Sequence, residues 1–99
     1  MSDMSADEYH FRLFIAGNEP NSLLAEQNLR ALCVAYLPAR HQIEIIDVLQ
    51  DFEAALQAMI MVAPAVVMLA PRPVTLFGAL TDTTRILAAL GLKEADPHD

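Results

Sequence analysis

The side chains able to do chemistry in this sequence are few and far apart. Its single cysteine, Cys33, lies in "LRALCVAYL", and the three histidines, His10, His41 and His98, are widely separated. A thiol becomes a nucleophile when a helix N-terminus or a nearby cation lowers its pKa. Cys33 instead falls among apolar residues at helical spacing, the setting of a small core side chain. A zinc-type site takes ligands in closely spaced pairs, which isolated histidines do not supply. Neither a glycine-rich phosphate loop nor a nucleophile motif occurs. Asp47, ending an apolar run, is a carboxylate that burial could perturb, but in such a place it more often bonds to neighbouring backbone. The expectation is a non-enzymatic chain with no cofactor and no metal.

Composition narrows what such a chain can bind. Ninety-nine residues make one domain, and at 55% hydrophobic and 19% charged it should bury a core. A net charge of -7, with six Lys plus Arg, leaves no electrostatic footprint for nucleic acid or an anionic membrane surface. The longest apolar run, 58–71, contains Pro64 and is shorter than the roughly 20 residues a membrane-spanning helix needs. The start, "MSDMSADEYH", lacks the basic and apolar regions of a signal peptide, and one cysteine cannot form an internal disulfide. Both features suit the cytoplasm. Met59, Met61 and Met68 read as core filling.

The elements follow from hydrophobic periodicity. "HFRLFIAG" alternates Phe11, Leu13 and Ile15 on one face with Phe14 and Ala16 on the other, as in a central strand. After the loop "GNEPNS", residues Ala25, Leu29, Leu32, Cys33, Tyr36 and Leu37 share one helical face, with Ser22 or Asn21 as cap and Pro38 as stop. "IEIIDVL" is a second strand, parallel to the first if the helix between them forms a βαβ unit. Phe52, Ala55, Leu56, Met59 and Ile60 then repeat at the spacing of a helical face, with Asp51 as cap. Two short runs, 65–69 and 74–77, flank a turn with Pro71 and Pro73 and suit an antiparallel pair. "TDTTRILAALGL" completes the chain with a helix capped by Thr81 or Asp82 and stopped near Gly91. The predicted division is a disordered N-terminal tail over 1–8, a domain over 9–92 and an acidic C-terminal tail over 93–99.

The resulting order, βαβαββα, is that of a thioredoxin-like α/β domain. A thioredoxin carries Cys-x-x-Cys at the turn into its first helix, where the helix terminus stabilises the thiolate. Here that turn reads "GNEPNS" and holds no sulfur. The segments together resemble the KaiB family of circadian clock proteins over about 11–92. "FRLFIAGNEPNS" resembles the family's L-K-L-Y-V-A-G-x-T-P-x-S, and "IIDVL" its V-I-D-V-L. "IMVAPAV" and "PRPVTLFGALTD" are similar to I-L-A-T-P-T-L and P-x-P-V-R-R-I-I-G-D-L-S.

The resemblance implies a binding module that meets a KaiC-like ATPase ring. It also implies two folds, a ground state of order βαββααβ, typically tetrameric, and the thioredoxin-like state that engages the ring and competes with a clock kinase. Asn18, Glu19, Pro20, Asn21, Leu24, Glu44 and Thr75 are the partner-contacting candidates it points to. The first four are also natural turn and capping residues. Leu24, Glu44 and Thr75-Leu76 stand where family members carry basic residues, and Ala79 stands where they carry an aspartate. Pro64, Gly78, Ala89 and Gly91 are the candidates for setting which fold is populated. Ala89 replaces a usual glycine in "LAALGL", which favours helix there by about 1 kcal/mol, while Gly91 weakens the last turn. Pro64 is expected to follow a cis bond, as in thioredoxin-like proteins. A divergent interaction protein outside any oscillator, forming a homo-oligomer, is the alternative function.

Overall fold

The computed structural model describes residues 8–92. The order of elements is β1 (Tyr9–Ile15), α1 (Pro20–Tyr36), β2 (His41–Asp47), α2 (Phe52–Gln57), β3 (Ala65–Ala70), β4 (Val74–Phe77) and α3 (Thr83–Leu90). The predicted tails, but for Glu8, lie outside the described residues, as does His98.

The strands form one mixed sheet in the order β2-β1-β3-β4. β1 is central, as its two apolar faces require. It runs parallel to β2, with Ile15 opposite Asp47, and antiparallel to β3, with Phe14 opposite Ala65. β4 returns antiparallel to β3, with Phe77 opposite Ala65. The alternation of β1 divides its side chains between two cores. Tyr9, Phe11 and Leu13 join Val66 and Met68 beneath α1 and α3, which contribute Leu29, Cys33, Ile86 and Leu87. Phe14 points the other way, into a smaller cluster with Ile46, Ala65, Ala55 and Ile60 beneath α2.

The first helix starts earlier than expected. Glu19, not Ser22 or Asn21, is its N-cap, accepting from the Ser22 N–H, and Pro20 fills the first helical position, where its missing N–H is no loss. Ser22 is buried, and its Oγ accepts from the Ala16 N–H at 3.0 Å. At the third helix, Asp82 is the cap, accepting from Arg85.

The second helix corrects the expected apolar stripe. It has six residues and stops at Gln57. The Ile60 N–H donates to the Ala55 carbonyl and the Met59 N–H to that of Leu56, while Met59 takes φ +59°. This is a Schellman ending, with Met59 in the left-handed position that glycine usually fills. It folds Ile60 back onto Ala55 but breaks the helical period. Ala55 and Ile60 are therefore buried, whereas Phe52, Leu56 and Met59 are exposed. Of the methionines read as core filling, Met68 is 1% exposed, but Met59 and Met61 are 82% and 84% exposed.

Six helical residues span about 9 Å, against about 23 Å for a seven-residue strand. α2 consequently covers only part of its face of the sheet. The Ala63–Pro64 bond is cis, as is Ala70–Pro71.

Candidate interaction surface

β1 and β2 end, and β3 begins, at one end of the sheet. The loops 16–19, 48–51 and 59–64 therefore meet there, the position where open α/β sheets commonly receive ligands. Asp47 joins the first two. Its Oδ1 accepts from the Gly17 N–H at 3.1 Å and from the Leu49 N–H at 3.0 Å. Gly17 adopts φ +57°, and a Cβ on it would lie 3.1 Å from a Leu49 methyl. Asp47 is thus a backbone-bonding residue that fixes the loop. Glu19 Oε1 accepts from the Ser22 N–H at 2.9 Å, so its charge lies at the positive end of the α1 dipole. Asn18, Pro20 and Asn21 remain exposed on this pinned loop.

No thiol chemistry serves this end. Cys33 is 0% exposed inside α1, and burial pushes its thiol up to about 12, an effect the nearby Arg30 charge only partly offsets. At neutral pH it remains a protonated, apolar core group.

The part of the sheet that α2 leaves open forms a groove of about 550 Å³, lined by Arg12, Glu44, Asp51, Gln57, Leu69 and Thr75. Glu44 and Thr75 therefore share one site. Arg12 and Glu44 are register partners on β1 and β2, and Arg12 Nε donates to Glu44 Oε1 at 3.0 Å. With 44% and 61% of these side chains exposed, the pair adds at most about 1 kcal/mol of stability, but it leaves position 44 electrically paired. Leu24 lies apart from the groove, exposed on α1, which packs against the other face of the sheet.

The fold-state candidates divide similarly. Gly78 and Ala89 line a hollow of about 760 Å³ between β4 and α3. Gly78, at φ +98°, donates its N–H to the Pro64 carbonyl at 3.0 Å. Gly91 ends α3 at φ +79°, with Arg72 guanidinium nitrogens 3.0–3.1 Å from where a Cβ would stand. Arg72 Nη2 donates to the Ala89 carbonyl, so the turn between β3 and β4 caps the last helix. The sequence reading missed this role of Arg72. A lone arginine between two prolines carries no periodic signal, and its helix lies in the next segment.

A KaiB domain matches residues 12–92. The chain belongs to the KaiB family. It is 33% identical over 85 residues to a circadian clock oscillator protein KaiB of Prochlorococcus marinus, covering 85% of this chain and 73% of that protein. It is 31% identical over 102 residues to the circadian clock protein KaiB3 of a Synechocystis strain, covering 97% of this chain and all of that protein. Among solved structures, the N-terminal domain of Synechococcus elongatus SasA superposes with a TM-score of 0.72 at 21% identity, covering 97% of this chain and 95% of that one. The thioredoxin of Fasciola hepatica superposes at 0.68 with 19% identity, covering 87% and 82%. These likenesses place the KaiB-family chain among α/β folds of thioredoxin type. Among its described residues, no group of three or more His, Cys, Asp or Glu could hold a metal ion.

Proposed function

We propose that this KaiB-family chain is a non-enzymatic, cytoplasmic regulator that binds a KaiC-type ATPase or a related signalling protein in its thioredoxin-like arrangement. The observation carrying this reading is the loop of the family motif. "FIAGNEPNS" is pinned by Asp47, Glu19 and Ser22, presents Asn18, Pro20 and Asn21 to solvent, and carries no sulfur. A rigid exposed loop without a nucleophile suits recognition, because little conformational entropy is lost when it docks. Position 44 meets a partner as the Arg12–Glu44 pair, so the docking contact is less positively charged than the family pattern implies. Slower encounter is the expected consequence.

A second reading, a homo-oligomer outside any oscillator, draws on the exposed apolar side chains of the α2 region. One experiment separates the two. The purified protein is titrated against KaiC-type ATPases of its host with ATP present, and its own mass is followed by light scattering. Saturable, stoichiometric binding is expected. A stable homo-oligomer that ignores every such ATPase at tens of micromolar would select the second reading.

A further inference from the structure

We infer that the outer surface of α2 and the segment after it, adjoining the loop end and groove described above, form a docking site whose partner is a basic amphipathic helix. The inference goes beyond the regulatory reading above and makes no use of a ring ATPase. Phe52 and Leu56 are one helical turn apart on the solvent side of α2, 66% and 52% exposed. Met59 and Met61 follow and are still more open, and Val62 is exposed as well. Large apolar side chains clustered on one surface mark interaction sites, whereas scattered ones do not. Methionines suit such a surface because the flexible thioether adapts to varied partners.

Backbone geometry supports the same site. Met59 holds φ +59° as the left-handed residue of the Schellman ending, a conformation disfavoured by roughly 1–2 kcal/mol for a residue with a Cβ. Glycine there would relieve the strain and remove an exposed apolar side chain. The chain instead keeps a methionine in this position, as it keeps Ala39 and Leu80 at similar φ, and here turns the side chain to solvent.

Charge identifies the partner. No lysine or arginine occurs between Arg40 and Arg72, a stretch that carries Glu44, Asp47, Asp51 and Glu53. Asp51 and Glu53 are exposed beside Phe52, and Asp51 also caps the helix through the Ala54 N–H. Arg12, the basic side chain at the adjoining groove, is held by Glu44. A second copy of this chain would bring like carboxylates together. A helix with apolar residues on one stripe and lysine or arginine beside it matches both parts of the surface.

The test uses the full chain and two labelled synthetic helical peptides, both with leucine on one face, one with lysine and the other with glutamate on the opposite face. Fluorescence anisotropy at moderate salt reads the binding. The lysine peptide should bind saturably and the glutamate peptide at least about tenfold more weakly. Phe52→Ser with Met59→Ser, both at exposed positions, should weaken the lysine peptide by about tenfold or more at unchanged net charge. Asp51→Asn with Glu53→Gln, which keeps an acceptor at the cap, should flatten its salt dependence. Circular dichroism verifies that each variant is folded. Equal binding of both peptides, binding of neither, or lysine-peptide binding indifferent to Phe52→Ser with Met59→Ser would each overturn the proposal. So would a homodimer that the same double substitution dissociates, since the surface would then be covered by a second copy.

Discussion

Asp47 shows how one side chain ties family sequence to family structure. Its two backbone bonds join the loop after β1 to the loop after β2. Asp47→Ala should therefore cost about 1–3 kcal/mol in urea unfolding, while Asp47→Asn, which keeps an acceptor, should lose less. Cys33 makes a prediction about pH. Its thiol has an ordinary value of 9.0 and is raised to about 12 in the folded chain. Between these values the unfolded state gives up its proton while the native state retains it, so stability falls as pH rises from 9 to 12. Urea midpoints across that window should fall less steeply for Cys33→Ala than for the parent, and parallel curves would contradict the assignment. Both residues were legible in the sequence, Cys33 from its apolar helical neighbours and Asp47 from its place at a strand end. Arg72 was not, because its partner, the Ala89 carbonyl, is set by how β4 and α3 pack.

At the scale of elements, strands and long helices were readable because each carries several apolar residues at one period, whereas α2 was misjudged at its C-terminus. Periodicity continued through Met59 and Ile60, but the Schellman ending stops the helix and sends those neighbours in opposite directions. Met59→Gly should raise stability by about 1 kcal/mol, since glycine adopts the left-handed position freely. The last helix argues the other way about glycine. Gly91→Ala should destabilise by about 1–2 kcal/mol, from its left-handed φ and from the guanidinium packed where the Cβ would go. Ala89→Gly should cost about 1 kcal/mol in helix α3. Were the second fold that the family resemblance implies within a few kcal/mol, that would be a several-fold shift away from the thioredoxin-like arrangement. Backbone chemical shifts of the resting parent should report strand over 65–70 and helix over 83–90, as in the thioredoxin-like arrangement; helix in the first and strand in the second would contradict that arrangement as the resting fold.

For the whole molecule, the order of elements was anticipated by hydrophobic periodicity along the chain, and membership of the KaiB family chiefly by the short segments "FRLFIAGNEPNS" and "IIDVL". Those segments become β1, the pinned loop, the start of α1 and the end of β2, which together build one end of the sheet. The partner surface was less legible. Glu44 and Thr75 prove to share a groove through strand order and the shortness of α2, whereas Leu24 lies on a helix packed against the opposite face. Sequence spacing does not encode such proximity. The central proposal is that the chain binds a KaiC-type ATPase in its thioredoxin-like arrangement and already rests in that arrangement. A protein already in its binding-competent state associates without a preceding conformational step. The most direct measurement is therefore the association time course with the KaiC-type ATPase of its host in ATP, across a range of ATPase concentrations in excess. The account predicts saturable binding in a single phase whose rate rises with ATPase concentration. No binding at tens of micromolar, or a slow phase that stays unchanged as ATPase concentration rises, would contradict it.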